Sequence, residues 1–569
     1  MKAADEPTML KATLGLALAG LVLFGASLND PFHFDDALFL NDSNVTNPAR
    51  WHHFLNPLHL RQLTFFTFYV NHILSGTNAG TYHALNVALH IANAILFFML
   101  LNKWVDRRIA WIAAAVFLMH PIQTEPVLYI YQRSVLLAAF FSLLGLLALE
   151  RHRPWLSLLC FFLAFESKES ALAVPLLIAI YQFSRGRRVE PGRRSLAAPV
   201  VVLAVVLVAV ATLALLAYRD EATVGFGVAE RVSPLTYFMT QTRVVYTYLR
   251  LLFFPVPQSL EYDFSLIHHF GLNVALQLAG VFLIVIVGLM LARLDKWRVT
   301  GLAVVGFFIL LAPTSSVIPS ADAAFEHRLY LPMFAFAVFA ASLAARVKKS
   351  AMIAVPILLL CCVLTVRRGR VWASQSSLWE DTVLHAPNKA RAWFNLGGAY
   401  LKSDPDRARV AFTRALSLEP NFPEAYYDLG IIEQDRGNYR QAITLYQRTT
   451  EMNPEYWPAW NNLGNSFLAL GENSRALEAY SRTLNLNPDH WPSQYNIAIV
   501  HYTAGRFDKA IPRLRSVLEW SPDFRDARYL LASSLARSGD AAEAEREWKK
   551  LGHAPGQPPI PAPISAPTR

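Results

Sequence analysis

The chain has 569 residues, of which 54% are hydrophobic and only 17% are charged, whereas a soluble domain carries roughly 25% charged residues. This composition excludes a soluble globular protein and predicts a polytopic membrane protein. The net charge of +10 comes largely from Lys and Arg at the ends of apolar segments, where membrane topology explains them, so nucleic acid is not an expected partner. Cys160, Cys361 and Cys362 all lie in apolar runs and predict neither a disulfide framework nor a zinc site.

About eleven apolar windows in the first 366 residues predict membrane-spanning helices. Lys and Arg collect in alternate short loops between these windows, which predicts that those loops are cytoplasmic. The first loop and everything after the eleventh span then face the other side, which is the periplasm if the source is a bacterium. The predicted spans lie near residues 10–28, 82–101, 109–127, 134–149, 155–167, 170–183, 197–217, 272–292, 299–314, 329–345 and 351–366.

The loop after the first span begins with two adjacent acidic residues, Asp35 and Asp36. Carboxylates at a membrane surface indicate chemistry, although the pair could instead cap a short interfacial helix that starts at Ala37. Adjacent carboxylates raise each other's proton affinity, which brings a weak base nearer to working pH. We therefore take Asp35 as the first candidate for a general base and Asp36 as the second.

The second predicted span carries a polar stripe, because four residues spaced i, i+3, i+7 and i+10 share one face of a helix. A polar stripe in lipid faces other protein. Hydrogen bonding between helices is therefore favoured over a proton relay or a metal site. The stripe consists of His83, Asn86, His90 and Asn93.

Further charged residues collect in the loops on the same side as Asp35. Each could form a structural ion pair or a helix cap, but their convergence on one face favours a shared site. The candidate site cations are Arg133, Lys168 and Arg328, with support from Arg61, His120, Glu125, Glu169 and Glu326. The three glutamates are expected to orient the cations. Paired carboxylates also bind divalent metals, but no third oxygen ligand is evident from the spacing, so a metal is not favoured.

The second half of the chain shows a period of 33 or 34 residues in its prolines, at Pro387, Pro420, Pro454, Pro488 and Pro522. This period indicates tetratricopeptide repeats, and five of them suffice for a folded superhelical arm. A ladder of polar residues precedes the small residues of the first helices, at Asn395, Asp428, Asn462 and Asn496. Amide side chains both donate and accept, so the ladder suits the backbone of an acceptor polypeptide. The alternative is local hydrogen bonding between helices.

Several strings of the sequence, taken in their order, carry a family resemblance. They are FHFDDALFLND, YHALNVALHIANA, MHPIQTEPVLYIYQRSVLLAA, ESKESALAVPLL and EHRLYLP, followed by the repeats. The chain resembles the transmembrane and tetratricopeptide-repeat-containing O-mannosyltransferases, within the wider C-type glycosyltransferase (GT-C) fold. It departs from the family where Gln62 follows Arg61, since the family pattern has proline there.

The resemblance implies an integral-membrane, inverting glycosyltransferase that moves a sugar, mannose in this family, from a polyprenyl-phosphate carrier. The expected ligands of that phosphate are Arg133, Lys168 and Arg328. The expected acceptors are Ser and Thr hydroxyls of exported proteins held in the repeat groove, and no cofactor is firmly implied. The fold class is all-α, with a GT-C-like membrane bundle at residues 1–370, a repeat solenoid at 371–552 and a proline-rich disordered tail at 553–569. Two alternatives stay open: a transferase that modifies envelope glycans, and a non-catalytic membrane-anchored scaffold.

Overall fold

The computed structural model describes residues 6–55, 61–177, 232–315, 319, 322–347 and 350–551, and these ranges contain helices and no strands. The expected all-α class is therefore confirmed. Contacts divide the chain into two compact units, Met1–Pro387 and Asn388–Arg569. The predicted span 197–217, the part of span 170–183 beyond residue 177 and the predicted tail 553–569 lie outside the described residues.

The first unit is built from α-helices of very different lengths. In the described ranges they are α1 (Glu6–Phe24), α2 (Asp36–Leu40), α3 (Ser43–Thr46), α4 (Gln62–Ser75), α5 (Ala79–Trp104), α6 (Arg107–Met119), α7 (Thr124–Leu128), α8 (Arg133–Glu150), α9 (Pro154–Ser167), α10 (Pro234–Phe253), α11 (Leu272–Arg293), α12 (Arg298–Leu311), α13 (Pro332–Ala344), α14 (Ser350–Val371) and α15 (Gln375–His385). Short 3-10 helices lie between them at Gly25–Asn29, Pro48–Leu55, Pro121–Gln123, Ile130–Gln132, Glu169–Leu172, Asp295–Trp297 and Glu326–Leu329.

Within the described ranges, five helical segments are long and apolar enough to cross a bilayer. They are Met9–Asn29, Ala79–Trp104, Ile130–Glu150, Leu272–Arg293 and Ala351–Val371. Four other predicted spans coincide with α6, α9, α12 and α13, which have only 13 or 14 residues each. At 1.5 Å per residue such helices are shorter than a hydrocarbon core of about 30 Å.

The polar stripe of α5 is buried, and three of its four residues make hydrogen bonds to other segments of the first unit. His90 Nδ1 lies 2.9 Å from the hydroxyl oxygen of Tyr330, to which Asn93 Nδ2 also donates, at 3.0 Å. Asn86 Nδ2 donates to the carbonyl oxygen of Val127 at 3.3 Å. Segments that are distant in sequence are thereby fixed against α5.

The second unit consists of five pairs of antiparallel helices with the predicted repeat length. The pairs are α16 (Ala390–Tyr400) with α17 (Pro405–Leu418), α18 (Pro423–Asp435) with α19 (Tyr439–Met452), α20 (Trp457–Ala469) with α21 (Asn473–Leu486), α22 (Trp491–Thr503) with α23 (Phe507–Trp520), and α24 (Arg525–Ser538) with α25 (Ala541–Leu551). Four of the turns inside these pairs use a glycine with positive φ, namely Gly437, Gly471, Gly505 and Gly539, the conformation that glycine adopts without a steric penalty.

Each of the first three pairs packs an aromatic ring of its second helix directly on a glycine of its first helix. A Cβ atom added to the glycine would lie 2.5 to 2.6 Å from a ring carbon, closer than any real contact. The pairs are Gly397 with Phe412, Gly430 with Tyr446, and Gly464 with Tyr480. The close approach of the two helices therefore requires glycine at these positions.

Candidate active site

Asp36, at the start of α2, is completely buried. Its Oδ2 accepts a hydrogen bond from the backbone N–H of His33 at 2.8 Å, and its Oδ1 accepts one from the backbone N–H of Tyr131 at 2.8 Å. Burial raises the pKa of Asp36 to about 8, the two backbone hydrogen bonds oppose the shift, and the charge of Asp35 adds to it. Asp36 is therefore a fixed point that ties the first loop to residue 131.

Asp35 is only half-buried, so its carboxyl group stays within reach of another molecule. Its backbone N–H donates to the hydroxyl oxygen of Tyr129 at 3.1 Å, and its side chain is also hydrogen-bonded to that hydroxyl group. Burial, together with the charges of Asp35 and Asp36, raises the pKa of Tyr129 well above its usual value. Asp35 precedes the first residue of α2 but makes no side-chain capping hydrogen bond there, so the geometry does not require it as a helix cap.

The segment Tyr129–Arg133 connects the acidic loop to the predicted cations. Tyr131 holds Asp36 through its backbone, and the next residue, Gln132, accepts a hydrogen bond from Lys168 Nζ at 3.2 Å. The phenol of Tyr131 also lies within electrostatic range of Arg61, Asp35, Asp36 and Glu169. Sequence reasoning missed Tyr129, Tyr131 and Gln132, although the string YIYQR does alternate aromatic and polar residues just before a candidate arginine.

Arg133, at the start of α8, is completely buried. Its Nε donates to Asn86 Oδ1 at 2.9 Å, and its guanidinium carbon lies 4.6 Å from the centre of the Phe68 ring. Its terminal nitrogens donate to the carbonyl oxygens of Thr67 and Tyr82. Each guanidinium nitrogen of Arg133 thus already has an acceptor, which favours a structural role over the expected binding of a phosphate.

Arg61 and Glu169 form a two-pronged ion pair, with Arg61 NH2 at 2.7 Å from Glu169 Oε1 and Arg61 Nε at 3.2 Å from Oε2. Burial opposes ionisation of Glu169, but the Arg61 charge and hydrogen bonds outweigh it and lower the pKa of Glu169 to about 2. Arg61 adopts a left-handed conformation, with φ of 63°. A following proline would disfavour that conformation, so Gln62 is compatible with this path of the loop.

Lys168, His327 and Arg328 line one small cavity. Burial lowers the pKa of Lys168 to about 7, with nearby Arg61 and Arg328 adding to the effect against the opposing charges of Glu169 and Glu125. Arg328 is held by donation to the Tyr237 hydroxyl at 2.9 Å and to backbone carbonyls. The other lining residues are Val135, Ser170, Leu310, Thr314 and Leu331, so no acidic side chain of the described residues lines this cavity.

Glu125 contacts His327, which lines the cavity, and its charge acts on Lys168, so its expected role in orienting the cations stays a prediction. Glu125 Oε1 lies 2.6 Å from His327 Nδ1, and its Oε2 accepts from the backbone N–H of Glu326 at 3.0 Å. Glu326 accepts from Gln258 Nε2 at 2.6 Å and from the backbone N–H of Ser259 at 3.0 Å. Burial raises the pKa of Glu326, against the opposing charge of Arg368.

His120 lies outside the cavity lining and holds the backbone in place. Its Nδ1 accepts from the backbone N–H of Ile122 at 3.2 Å, and its Nε2 lies 3.1 Å from the carbonyl oxygen of Leu252. The histidine that does line the cavity, His327, was missed as a site residue, although it stands between Glu326 and Arg328 in the string EHR. Among the described residues, no three His, Cys, Asp or Glu side chains are grouped so as to hold a metal ion.

The polar ladder of the repeats lies mostly inside the solenoid. Asn462 and Asn496 are 1% and 0% exposed, Asp428 is buried, and Asn395 is half-buried. Asn462 Nδ2 donates to the Tyr427 hydroxyl at 3.1 Å, and Asn496 Nδ2 donates to Asn465 Oδ1 at 3.0 Å. These contacts join the first helices of successive repeats, which is the alternative that the sequence left open, and they leave the two amides little surface for an acceptor.

Comparison with known proteins matches both halves of the chain. A family model for the tetratricopeptide repeat matches residues 427–490 and 495–556. Protein O-mannosyl-transferase F38B6.6 of Caenorhabditis elegans is 25% identical over 386 residues, which cover 64% of this chain and 54% of that protein. The chain resembles the protein O-mannosyl-transferases. Human protein O-mannosyl-transferase TMTC1 is 32% identical over 153 residues, which cover 24% of this chain and 17% of that protein.

The chain thus spans about half the length of the first of these relatives and less of the second. Among solved structures, the MamA protein is 24% identical over 28% of this chain and 89% of its own, with a TM-score of 0.28. The YrrB protein is 19% identical over 31% of this chain and 91% of its own, with a TM-score of 0.29. The helix pairs described above, together with the matching family model, identify the second unit as tetratricopeptide repeats.

Proposed function

We propose that the chain is a membrane glycosyltransferase that moves a sugar from a polyprenyl-phosphate carrier to Ser or Thr hydroxyl groups of a polypeptide. The observation that carries the proposal is the cavity where Lys168 and Arg328 meet without an acidic lining residue. Such a cavity suits an anionic phosphate, since buried cations stabilise the charge that develops on a leaving group. Similarity to protein O-mannosyl-transferases supports mannose as the sugar and protein as the acceptor.

In this proposal the reaction is a single displacement at the anomeric carbon of the sugar. The acceptor oxygen forms a bond to that carbon, while the bond from carbon to phosphate oxygen breaks and its electron pair leaves with the phosphate. Asp35 takes the proton from the acceptor hydroxyl, because it is the more accessible of the two carboxyl groups. Asp36 positions the loop through His33 and Tyr131, and Lys168 and Arg328 hold the phosphate.

The Tyr129–Arg133 segment supports placing both halves of this reaction in one site. Asp36 and Lys168 bind consecutive residues of the segment, and Lys168 lies within electrostatic range of Arg61, which forms an ion pair with Glu169. We place this site on the non-cytoplasmic side of the membrane, on the distribution of Lys and Arg in the loops. The repeats then hold the acceptor polypeptide on that side, through side chains more exposed than those of the ladder.

The test is transfer of label from a polyprenyl-phosphate mannose to a Ser- and Thr-rich peptide by the full chain in lipid nanodiscs. We expect label in the peptide, and a loss of about 100-fold in Lys168→Met, because a buried cation at the leaving group is worth several kcal/mol. Lys103→Met, which removes an exposed lysine of α5, is the matched control and should be unchanged. Label entering a glycan, or no transfer by the wild type, would refute the proposal.

A further inference from the structure

We propose that Glu125 and His327 form a proton-accepting dyad that completes the phosphate site, with His327 Nε2–H donating to a phosphate oxygen in the cavity. This inference rests on the proposed function. It adds His327, a histidine, to the two cations Lys168 and Arg328 that the proposed function assigns to the phosphate. When a phosphate binds, the dyad takes up one proton from solvent. His327 then acts as a titratable hydrogen-bond donor beside the permanent charge of Arg328.

Two contacts hold the imidazole ring of His327 in place. Its Nδ1 lies 2.6 Å from Glu125 Oε1, and Glu125 is itself held through its other oxygen by the Glu326 backbone N–H. The ring stacks on Phe325, with centroids 5.0 Å apart and an angle of 25° between the ring planes. Because Nδ1 is engaged by Glu125, Nε2 is the nitrogen that the side chain has left to offer to the cavity it lines.

The number of protons bound by Glu125 and His327 determines whether Nε2 of His327 is a hydrogen-bond donor or acceptor. With Glu125 ionised and His327 neutral, the proton on Nδ1 is donated to Glu125, and Nε2 presents a lone pair that repels an anionic oxygen. One added proton places N–H on Nε2, whether the second proton of the pair lies on Nδ1 or on Glu125. The added proton therefore converts Nε2 from an acceptor into a donor and breaks no bond.

The charges around the dyad explain why binding of a phosphate favours uptake of this proton from solvent. Burial and the charges of Lys168, Arg328 and Arg61 hold the pKa of His327 well below its usual value. Burial and the charge of Glu326 raise the pKa of Glu125 well above its usual value, against the opposing charge of Arg368, which is paired with Asp381. Glu125 is therefore the member of the dyad that holds the added proton, and His327 stays neutral with N–H on Nε2. An anion in the cavity offsets the three cations on the cavity side. Binding of the anion and uptake of the proton are therefore thermodynamically linked.

The test is calorimetric binding of farnesyl phosphate to the full chain in nanodiscs at pH 8, in buffers with different heats of ionisation. Proton uptake on binding is then measured directly, and wild type should take up protons through both Lys168 and the dyad. His327→Ala should bind about 10-fold more weakly, since a charge-assisted hydrogen bond is lost. His327→Gln, whose amide reaches the position of Nε2 without titrating, should keep most of the affinity and lose up to one proton of uptake.

Two further variants and two further ligands separate the possible causes. His52→Gln changes an exposed histidine and should behave as wild type, while Glu125→Gln should reduce proton uptake as His327→Gln does. Farnesol should not bind at the cavity, because it lacks the phosphate. Inorganic phosphate shows whether the lipid is needed: equal affinity and equal uptake would support the dyad but assign it to free phosphate.

The outcomes for the dyad and for the proposed function are distinguishable. If wild type fails to bind farnesyl phosphate, the lipid-phosphate donor is refuted, and the dyad with it. If wild type binds and transfers sugar while His327→Ala and His327→Gln match its affinity and proton uptake, only the dyad is refuted. A melting temperature for each variant shows that it is folded, and His327→Gln keeps the test valid if the alanine variant does not fold.

Discussion

Both units bury polar side chains, but the surroundings of these side chains differ. In the first unit, Lys168, His327 and Arg328 are buried around a cavity. In the repeats, Asn462 and Asn496 are buried just as deeply, but they donate to Tyr427 and Asn465 of neighbouring helices. Burial of a polar residue is therefore not a sign of function. What distinguishes the first unit is that three of its buried polar side chains line one small cavity.

Within the first unit, buried polar residues also differ in whether they line the cavity. Arg133 and Arg328 are both buried arginines, and both are held by backbone carbonyl groups. Only Arg328 lines the cavity, whereas Arg133 lies between aromatic rings and Asn86. A buried arginine that faces no cavity is expected to contribute to stability, and one that lines a cavity to contribute to binding as well.

The largest expected effect separates the two adjacent aspartates. Asp35→Asn should reduce transfer by about 100-fold or more, because a general base is lost, with little change in melting temperature. Asp36→Asn should instead destabilise the fold by about 1 to 3 kcal/mol, since one of two backbone N–H donors loses its acceptor. Transfer assays and thermal unfolding of both variants check this. Undiminished transfer by the double variant Asp35→Asn/Asp36→Asn would exclude both as bases.

An intermediate effect is expected for the Arg61–Glu169 pair, in its dependence on pH. The pKa of Glu169 is lowered to about 2 in the fold, below its usual value of roughly 4.3. The pair therefore stabilises the fold fully above the usual pKa and loses that contribution as pH falls toward 2. Melting temperatures of wild type and Glu169→Gln, measured from pH 7 to pH 3, should converge on acidification. A gap of constant size would show that Glu169 is not ionised in the fold.

The smallest expected effect tests the polar ladder of the repeats. Asn462→Ala removes a buried donor to Tyr427 and should lower the free energy of unfolding of the repeats by about 1 kcal/mol. Binding of the Ser- and Thr-rich peptide should be unchanged. Asn395→Ala, at a half-buried rung, is the comparison variant. Weaker peptide binding by Asn462→Ala at unchanged stability would restore the acceptor role of the ladder.

Periodic features were the ones that the sequence predicted best. The spacing of prolines by 33 or 34 residues predicted the five helix pairs, and the i, i+3, i+7, i+10 pattern that starts at His83 predicted the bonds of Asn86, His90 and Asn93. Both patterns repeat a local geometry, so they can be recognised without knowing the fold. Span lengths were predicted less well, because hydropathy does not show where a helix stops at a polar loop.

The site required information that residue types alone do not contain. Asp36 and Tyr131 are 95 residues apart, and no spacing rule relates them. The choice between Arg133 and Arg328 depends on which of them lines an opening. His327 was passed over because a histidine beside a buried glutamate has no sequence signal of its own, since its partner Glu125 is 202 residues away.

The contact between glycine and aromatic ring in the repeats implies that the volumes of the two paired side chains must match. In the first three repeats, bare backbone faces a large ring, whereas the fourth repeat has Ala498 with Leu514, both fully buried. The methyl group gained on one helix is matched by the smaller side chain on the other. Exchange of single helices between such repeat domains is therefore expected to succeed only if the residue of the first helix and the facing residue of the second helix are exchanged together.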